Sequence, residues 1–401
     1  MSSLARHRRR LTWTMLVASV VSVLLLGGFA YAGFKALWNY EGAKNVSEQL
    51  VPLPVSEVGM FATVDEDDVL TTITIFVIDS GDGVGGTAVT VPVAVDTAFG
   101  IDGQRIPLTE VYATSGPDAL AQAVESVLTI TLDAWTVADP GQAATVLSPV
   151  SPVSVELPAD VLDGDPDDPT VVYEQGEVGL SAAQFVSVIN ARVEGEPEAD
   201  RLPTVAASWV GVAEAVADGR TEVDATTPVV TFDDIATRLF AGPVITRVLA
   251  TIPLAEDEVP EGVDVVALDR ADATMVFASI APSAMSAPTT GLVFRIEAPT
   301  GYDAEVKRAV EILLYFGQNV QSIYVSDEVP TQEITEIELY DATFEDRIEE
   351  TQDLLGRIEI VEPEDKIAGV DVVLRLGTDY LEGEGVGDTL PSTTSTSTTA
   401  P

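Results

Sequence analysis

"TTITIFVIDSGDGVGGTAVTVPVAVDT", residues Thr71–Thr97, decides how the rest of the chain is read. It holds a literal G-x-G-x-x-G at Gly81, Gly83 and Gly86, directly after a run that reads as a strand. A phosphate-cradling glycine loop must open a helix, because the amides of the helix's first turn bind the diphosphate. The run after these glycines, "TAVTVPVAV", is β-branched, alternates at period two and carries Pro92, so it continues as strand. The glycines therefore turn a hairpin, for which Asp82-Gly83 is a strong short-range signal.

Strands and helices then mix along the chain. "DALAQAVESVLTI" starts an amphipathic helix near Pro117-Asp118, with Leu120, Val124, Val127 and Leu128 at helical spacing. "AATVLSPVSPVSVELP" reads as strand, "SAAQFVSVINARV" and residues 204–217 as helices. "TFDDIATRLFAG" is a helix capped by Thr231 and ended by Gly242, and "PVITRVLATIPL" is a strand. This order predicts an α/β class with layered mixed sheets over residues 69–280. "APSAMSAPTTG" supplies a linker over 281–290. Residues 291–382 read as a small α/β module: strand "GLVFRIEAP", helix "YDAEVKRAVEILLYFG", strands "VQSIYVS" and "TEIELYD", helix "ATFEDRIEETQDLLG", and "GVDVVLRLGTDY". The Thr/Ser-rich tail, 383–401, is predicted to be disordered.

Composition removes whole classes of chemistry. There is no Cys, and the single histidine, His7, lies in a basic N-terminal cluster. Thiolate or imidazole metal sites, cysteine nucleophiles and Ser-His-Asp catalysis are excluded from the body. The net charge is -45, from 65 acidic and 20 basic residues, and Arg6, Arg8, Arg9 and Arg10 sit in the first ten positions. Nucleic acid is not an expected partner, since phosphate neutralisation needs clustered Lys and Arg.

The basic tail, 1–10, is followed by 24 uncharged residues, Leu11–Phe34. At about 1.5 Å per residue they span the roughly 30 Å hydrocarbon core as one helix. Arginines before it and acidic sequence after it predict a cytoplasmic N-terminus, with the remainder extracytoplasmic beyond a polar juxtamembrane stalk, 35–68. Ala30-Tyr31-Ala32 offers the rival reading of a cleaved secretory signal; the length of the apolar run favours a retained single-pass anchor.

"DGDPDDPTVVYE" puts Asp163, Asp165, Asp167 and Glu174 at calcium-loop positions 1, 3, 5 and 12. Asp168 stands where that loop needs Gly, and Pro166 stiffens it, so a solvated acidic loop is favoured. Asn45-Val46-Ser47 has the form of a glycosylation sequon.

Taken together, these stretches resemble the LytR-CpsA-Psr family of cell-envelope proteins followed by a LytR C-terminal domain. "TTITIFVID" resembles the family's D-T-I-M-V-V-S-I-D strand and "VPVAVDT" its S-I-P-R-D-T. "SPVSPVSVELP" is similar to its D-x-x-G-G-V strand and "GLSAAQFVSVINARVEGEPEADR" to its L-x-G-x-x-A-L-x-Y-x-R-x-R segment. In the C-terminal module "GLVFRIEAP", "LLYFG", "TEIELYD" and "VDVVLRLGTDY" carry the likeness, so most of residues 69–382 is covered. The order and spacing of all these motifs make the resemblance, rather than any one of them.

The resemblance implies an actinobacterial-type envelope protein. Enzymes of the family transfer glycopolymers from a polyprenyl diphosphate carrier to peptidoglycan, using arginines, carboxylates and a divalent metal. Asp96, Arg192 and Arg201 are the matching catalytic positions, with Asp96 toward Mg²⁺ if the chain is active. This sequence departs from the pattern: the arginine of S-I-P-R-D-T is Val95, the strand-leading Asp is Thr71, the first arginine of R-x-R is Asn190, and neutral "LPTVAA" follows Arg201. Only Arg105 and Arg192 are cationic between residues 51 and 200. Since Arg grips phosphate bidentately, the expectation is a degenerate domain, a pseudoenzyme that binds or scaffolds polyprenyl-linked glycan or envelope proteins. An active phosphotransferase is the alternative. Phe76, Val124, Leu128 and Trp135 are candidates to line a lipid tunnel, against the favoured reading of an ordinary filled core.

Overall fold

A computed structural model of the chain describes Tyr31, Lys35 and residues 50–81, 84–217, 229–255, 257–345, 348, 354–361 and 365–383. The expected basic tail, nearly all of the expected membrane helix, Asn45, Asp82-Gly83 and all but the first residue of the expected C-terminal tail lie outside the described residues. Among the described residues no helix is long and apolar enough to cross a membrane.

β1 (Val58–Val64), β2 (Leu70–Ile78) and β3 (Gly86–Val91) form an antiparallel meander. Ile78 pairs with Gly86, and no helix follows the glycines. Gly86 has φ +151°, and a Cβ there would sit 1.9 Å from the Val77 carbonyl oxygen, so only glycine lets β3 return this closely. β4 (Ala134–Ala138) extends the sheet beside β1 and β9 (Val244–Val248) beside β3, both in parallel, giving the order β4-β1-β2-β3-β9. Small antiparallel pairs complete this part of the chain: β5 (Val153–Leu157) with β8 (Gly176–Leu180), β6 (Val161–Asp163) with β7 (Thr170–Tyr173), and β10 (Thr251–Ile252) with β11 (Ala267–Leu268).

Every residue of β1, β2 and β3 is buried, so both faces of the sheet are covered. On one face Phe61 and Phe76 meet Phe185 of α4 (Ala182–Asn190), Trp209 of α5 (Glu198–Val216), and Phe232 of α6 (Phe232–Leu239). Their rings stack, tilt or meet edge-on at centroid distances of 5.4–6.4 Å. On the other face Met60, Ile73, Ile75 and Val89 meet Leu120, Val124 and Leu128 of α2 (Pro117–Leu128) and Phe277 of α7 (Arg270–Ile280).

A second five-stranded sheet runs β13 (Asn319–Val325), β12 (Val293–Ala298), β16 (Val372–Arg375), β14 (Thr335–Leu339), β15 (Ile358–Val361). α8 (Asp303–Tyr315) packs on its apolar face, and α9 (Thr378–Leu381) follows β16. Phe294, Ile296, Leu313 and Leu374 belong to the same continuous apolar core as Ile73 and Phe277.

Five expectations are corrected. Residues 58–64, assigned to the stalk, are the interior strand β1; the run is short and lies between Pro-rich and acidic segments, which hid its seven buried positions. Residues 143–147 are helical, not strand: they belong to α3 (Pro140–Leu147), which starts from a reciprocal capping box between Asp139 and Gln142 with Pro140 at the first turn. α1 (Leu108–Ser115) is an additional helix, and α5 starts six residues before Thr204 with Pro203 inside it, where a proline reads in sequence as a helix boundary. The 281–290 segment is held: Ala281, Ala284 and Met285 are buried, and Ala284 and Ser286 hydrogen-bond to Thr131 and Thr129 at 2.8 Å.

Candidate functional site

Of the positions that the family resemblance singles out, Thr71, Asn190, Arg192 and Arg201 lie where β2 begins and α4 ends. The last carbonyls of a helix lack intrahelical donors, and Arg201, in the first turn of α5, supplies them. Its Nη2 donates to Ile189 O, its Nε to Ala191 O at 3.2 Å, and its Nη1 to Thr71 O at 2.7 Å. Burial pulls the Arg201 guanidinium below its ordinary value, and the nearby Glu198 carboxylate resists this.

Thr71 and Asn190, which replace an Asp and an Arg of the family pattern, touch each other. The Thr71 hydroxyl donates to Asn190 Oδ1 at 2.7 Å, and Thr63 to the same oxygen at 2.8 Å. Asn190 Nδ2 donates to Val64 O at 2.8 Å, and Thr72 joins through Thr63 at 2.7 Å. All four side chains are buried. A neutral hydrogen-bonded network fills the place where the resembled pattern carries opposite charges. Arg192 lies at its rim, its Nε paired with Asp65 at 3.1 Å and its side chain 34% exposed.

Asp96 occupies a separate knot. Its Oδ1 accepts the Ala98 and Ile106 amides, both at 3.0 Å, and its Oδ2 accepts the Gly100 amide at 3.1 Å and Arg105 Nη1 at 2.8 Å. Burial pushes this carboxyl up, but the Arg105 hydrogen bond and the Ile106 and Ala98 amides outweigh it and hold the pKa below the usual range. Two donors on each oxygen use all four lone-pair sites of a carboxylate. Asp96 as it stands therefore does not fit the expected role of metal ligand, and its guanidinium partner is Arg105 rather than Arg192 or Arg201. Arg105 also reaches Glu258 at 3.2 Å. Among the described residues no three His, Cys, Asp or Glu side chains converge as a metal site would require; Asp165 of the acidic loop caps the Asp167 amide instead.

Glu198 was missed by sequence reasoning. It is 7% exposed, accepts the Val93 and Ala94 amides at 2.8 and 2.7 Å, and donates its own amide to Asp264 at 2.7 Å. Burial pushes its carboxyl up to about 7 against the pull of the two amides and Arg201, with Asp264 adding to the rise. Its only sequence signal is helical spacing, one turn before Arg201.

The four expected tunnel residues are not brought together. Phe76 is fully buried in the aromatic face of the first sheet; Val124 and Leu128 are buried on the opposite face. The space beside Leu128 is a crevice of about 20 Å³, room for about one water. Trp135 instead lies 38% exposed on the edge strand β4. The β-sheet separates these residues, so they line no common channel for a polyprenyl chain.

No family model matches the sequence, and no curated protein does. Solved structures are similar at low identity. A LytR-Csp2A-Psr enzyme from Actinomyces oris shares 17% identity over 56% of this chain and 93% of that chain, with a TM-score of 0.38. The LytR-CPS2A-psr family protein YwtF (TagT) with bound octaprenyl pyrophosphate lipid shares 14% over 57% of this chain and 90% of that chain, TM-score 0.38. B. subtilis TagV shares 14% over 56% of this chain and 95% of that chain, TM-score 0.36. Two of these structures are of the LytR-CpsA-Psr family by name. Overlays this loose say nothing of the chemistry of the site.

Proposed function

We propose that the chain is a membrane-anchored, extracytoplasmic cell-envelope protein acting as a non-catalytic binding or scaffolding component in cell-wall glycopolymer assembly. One observation carries the reading: the guanidinium groups at the matching positions and beside Asp96 are already committed to the protein. Arg201 holds three carbonyls, Arg105 holds Asp96, and Arg192 is tied to Asp65. Turning Arg201 toward a ligand would strand buried carbonyls at about 1–3 kcal/mol each. The two arginines that Val95 and Asn190 replace would each add a charge-assisted bond of about 1.5–3 kcal/mol, so a diphosphate loses on the order of 10²–10⁴ in affinity. A surviving polyprenyl-linked partner would have to be held by other means.

The test is to incubate the full chain in detergent micelles with a polyprenyl diphosphate glycan and Mg²⁺ and follow release of the carrier. No release is expected. Turnover that disappears in Arg192→Ala would establish the phosphotransferase instead, with Arg192, the most exposed of the three, as its cation. Carrier lipid retained in native mass spectra without turnover would support the binding role.

A further inference from the structure

A groove of about 320 Å³ opens along β4, lined by Val64 at the edge of the Asn190 network and by Asp68, Tyr112, Trp135, Asp139 and Gln142 among others. Trp135 presents its ring there at 38% exposure, although the adjacent strand β1 is wholly buried. The Tyr112 hydroxyl donates to Asp68 Oδ1 at 2.7 Å, and burial first and that bond second push the phenol up to about 12, so it stays a donor. Asp139 Oδ1 and Gln142 Oε1 are spent on each other's backbone amides. Asp68 Oδ2 and Asp139 Oδ2 have no protein partner among the described residues. Among the described residues no Lys or Arg lines the groove.

An exposed indole face beside two carboxylates with no compensating cation matches one class of ligand. We propose that this groove binds an organic ammonium group, seated on the Trp135 ring with Asp68 and Asp139 as its counter-charges. Trp is the best aromatic partner for a cation, and carboxylates at the rim add electrostatic attraction that anions would meet as repulsion. A neutral sugar also stacks on an indole and its hydroxyls can donate to the exposed Asp68 and Asp139, but it gains nothing from their charge. The ammonium belongs either to a small free cation or to a lysine side chain of a partner, and the two share this chemistry.

The experiment titrates the full chain, in detergent micelles, with tetramethylammonium, pentalysine, tert-butyl alcohol and chitotetraose, read by calorimetry. Saturable binding of tetramethylammonium or pentalysine is expected, with none for the neutral alcohol; the tighter of the two identifies the source. Trp135→Ala should weaken it by about 5-fold or more, and Trp135→Phe by less. The double variant Asp68→Asn with Asp139→Asn should weaken it comparably while folding normally, because Asn tolerates the positive φ of Asp68 and still caps the α3 helix. No saturable response to either cation up to about 50 mM overturns the proposal. So does an equal response to tert-butyl alcohol, an affinity unchanged in the Asn double variant, or binding of chitotetraose in place of the cations.

Discussion

Glu198 holds a carboxyl where desolvation and hydrogen bonding oppose each other, and desolvation wins. Its folded pKa lies near 7, above the ordinary carboxylate value of 4.5. The folded state therefore binds the extra proton, and the stability tied to it is complete below about pH 4.5 and lost as pH rises through 7. The size is on the order of 3 kcal/mol. Urea midpoints measured from pH 4.5 to 8 should fall across that window, and Glu198→Gln should flatten the slope while lowering stability overall, since an amide NH₂ faces a backbone N–H. A wild-type midpoint flat across the window would remove Glu198 from the account. The Thr71–Asn190 contact gives a second test at this scale. Thr71→Asp alone buries an unpaired charge, at about 3–5 kcal/mol, and Asn190→Arg alone does likewise. Made together they should cost at least about 1 kcal/mol less than their sum. Strict additivity in urea melts would mean the two positions no longer meet.

At the level of elements, Arg201 joins three of them: from the first turn of α5 it caps the end of α4 and holds the Thr71 carbonyl at the start of β2. Arg201→Ala should destabilise by about 2–5 kcal/mol, because several buried carbonyls lose donors at once. Arg201→Lys should recover less than half of that, since one ammonium cannot span acceptors that a planar fork reaches. Full recovery in Lys, measured by denaturant unfolding, would mean charge rather than geometry holds the junction. Much of this junction is legible in sequence. Ser181 and Thr231 cap their helices as their types predict, and the substitutions at Thr71 and Asn190 are visible as departures from the pattern. Their mutual contact is not, because residues 119 positions apart reveal no pairing without the fold. Nor is the saturation of Asp96, whose donors are backbone amides that carry no sequence identity. The Asp139-Pro140 start signal of α3 is masked by the β-branched and Pro-rich run after it, which by itself reads as strand.

For the molecule as a whole, the informative feature is the core that the first sheet shares with the second. Strand alternation and a Pro- and Ser-rich stretch at 281–290 read as two modules joined by a linker, since periodicity records which face is apolar but not which face covers it. Here α7 carries Phe277, with no solvent exposure, in one cluster with Ile73 of the first sheet and Ile296 of the second. Phe277→Ala should cost about 3–5 kcal/mol. If the shared core makes folding cooperative, that loss is felt on both sides of it. Native-state hydrogen exchange then has a definite outcome: the slowest amides of β2 and of β12 should lose protection by similar amounts. Loss confined to β2, or two separate calorimetric transitions in the unsubstituted chain, would mean that the sheets fold independently and that Phe277 serves only one of them.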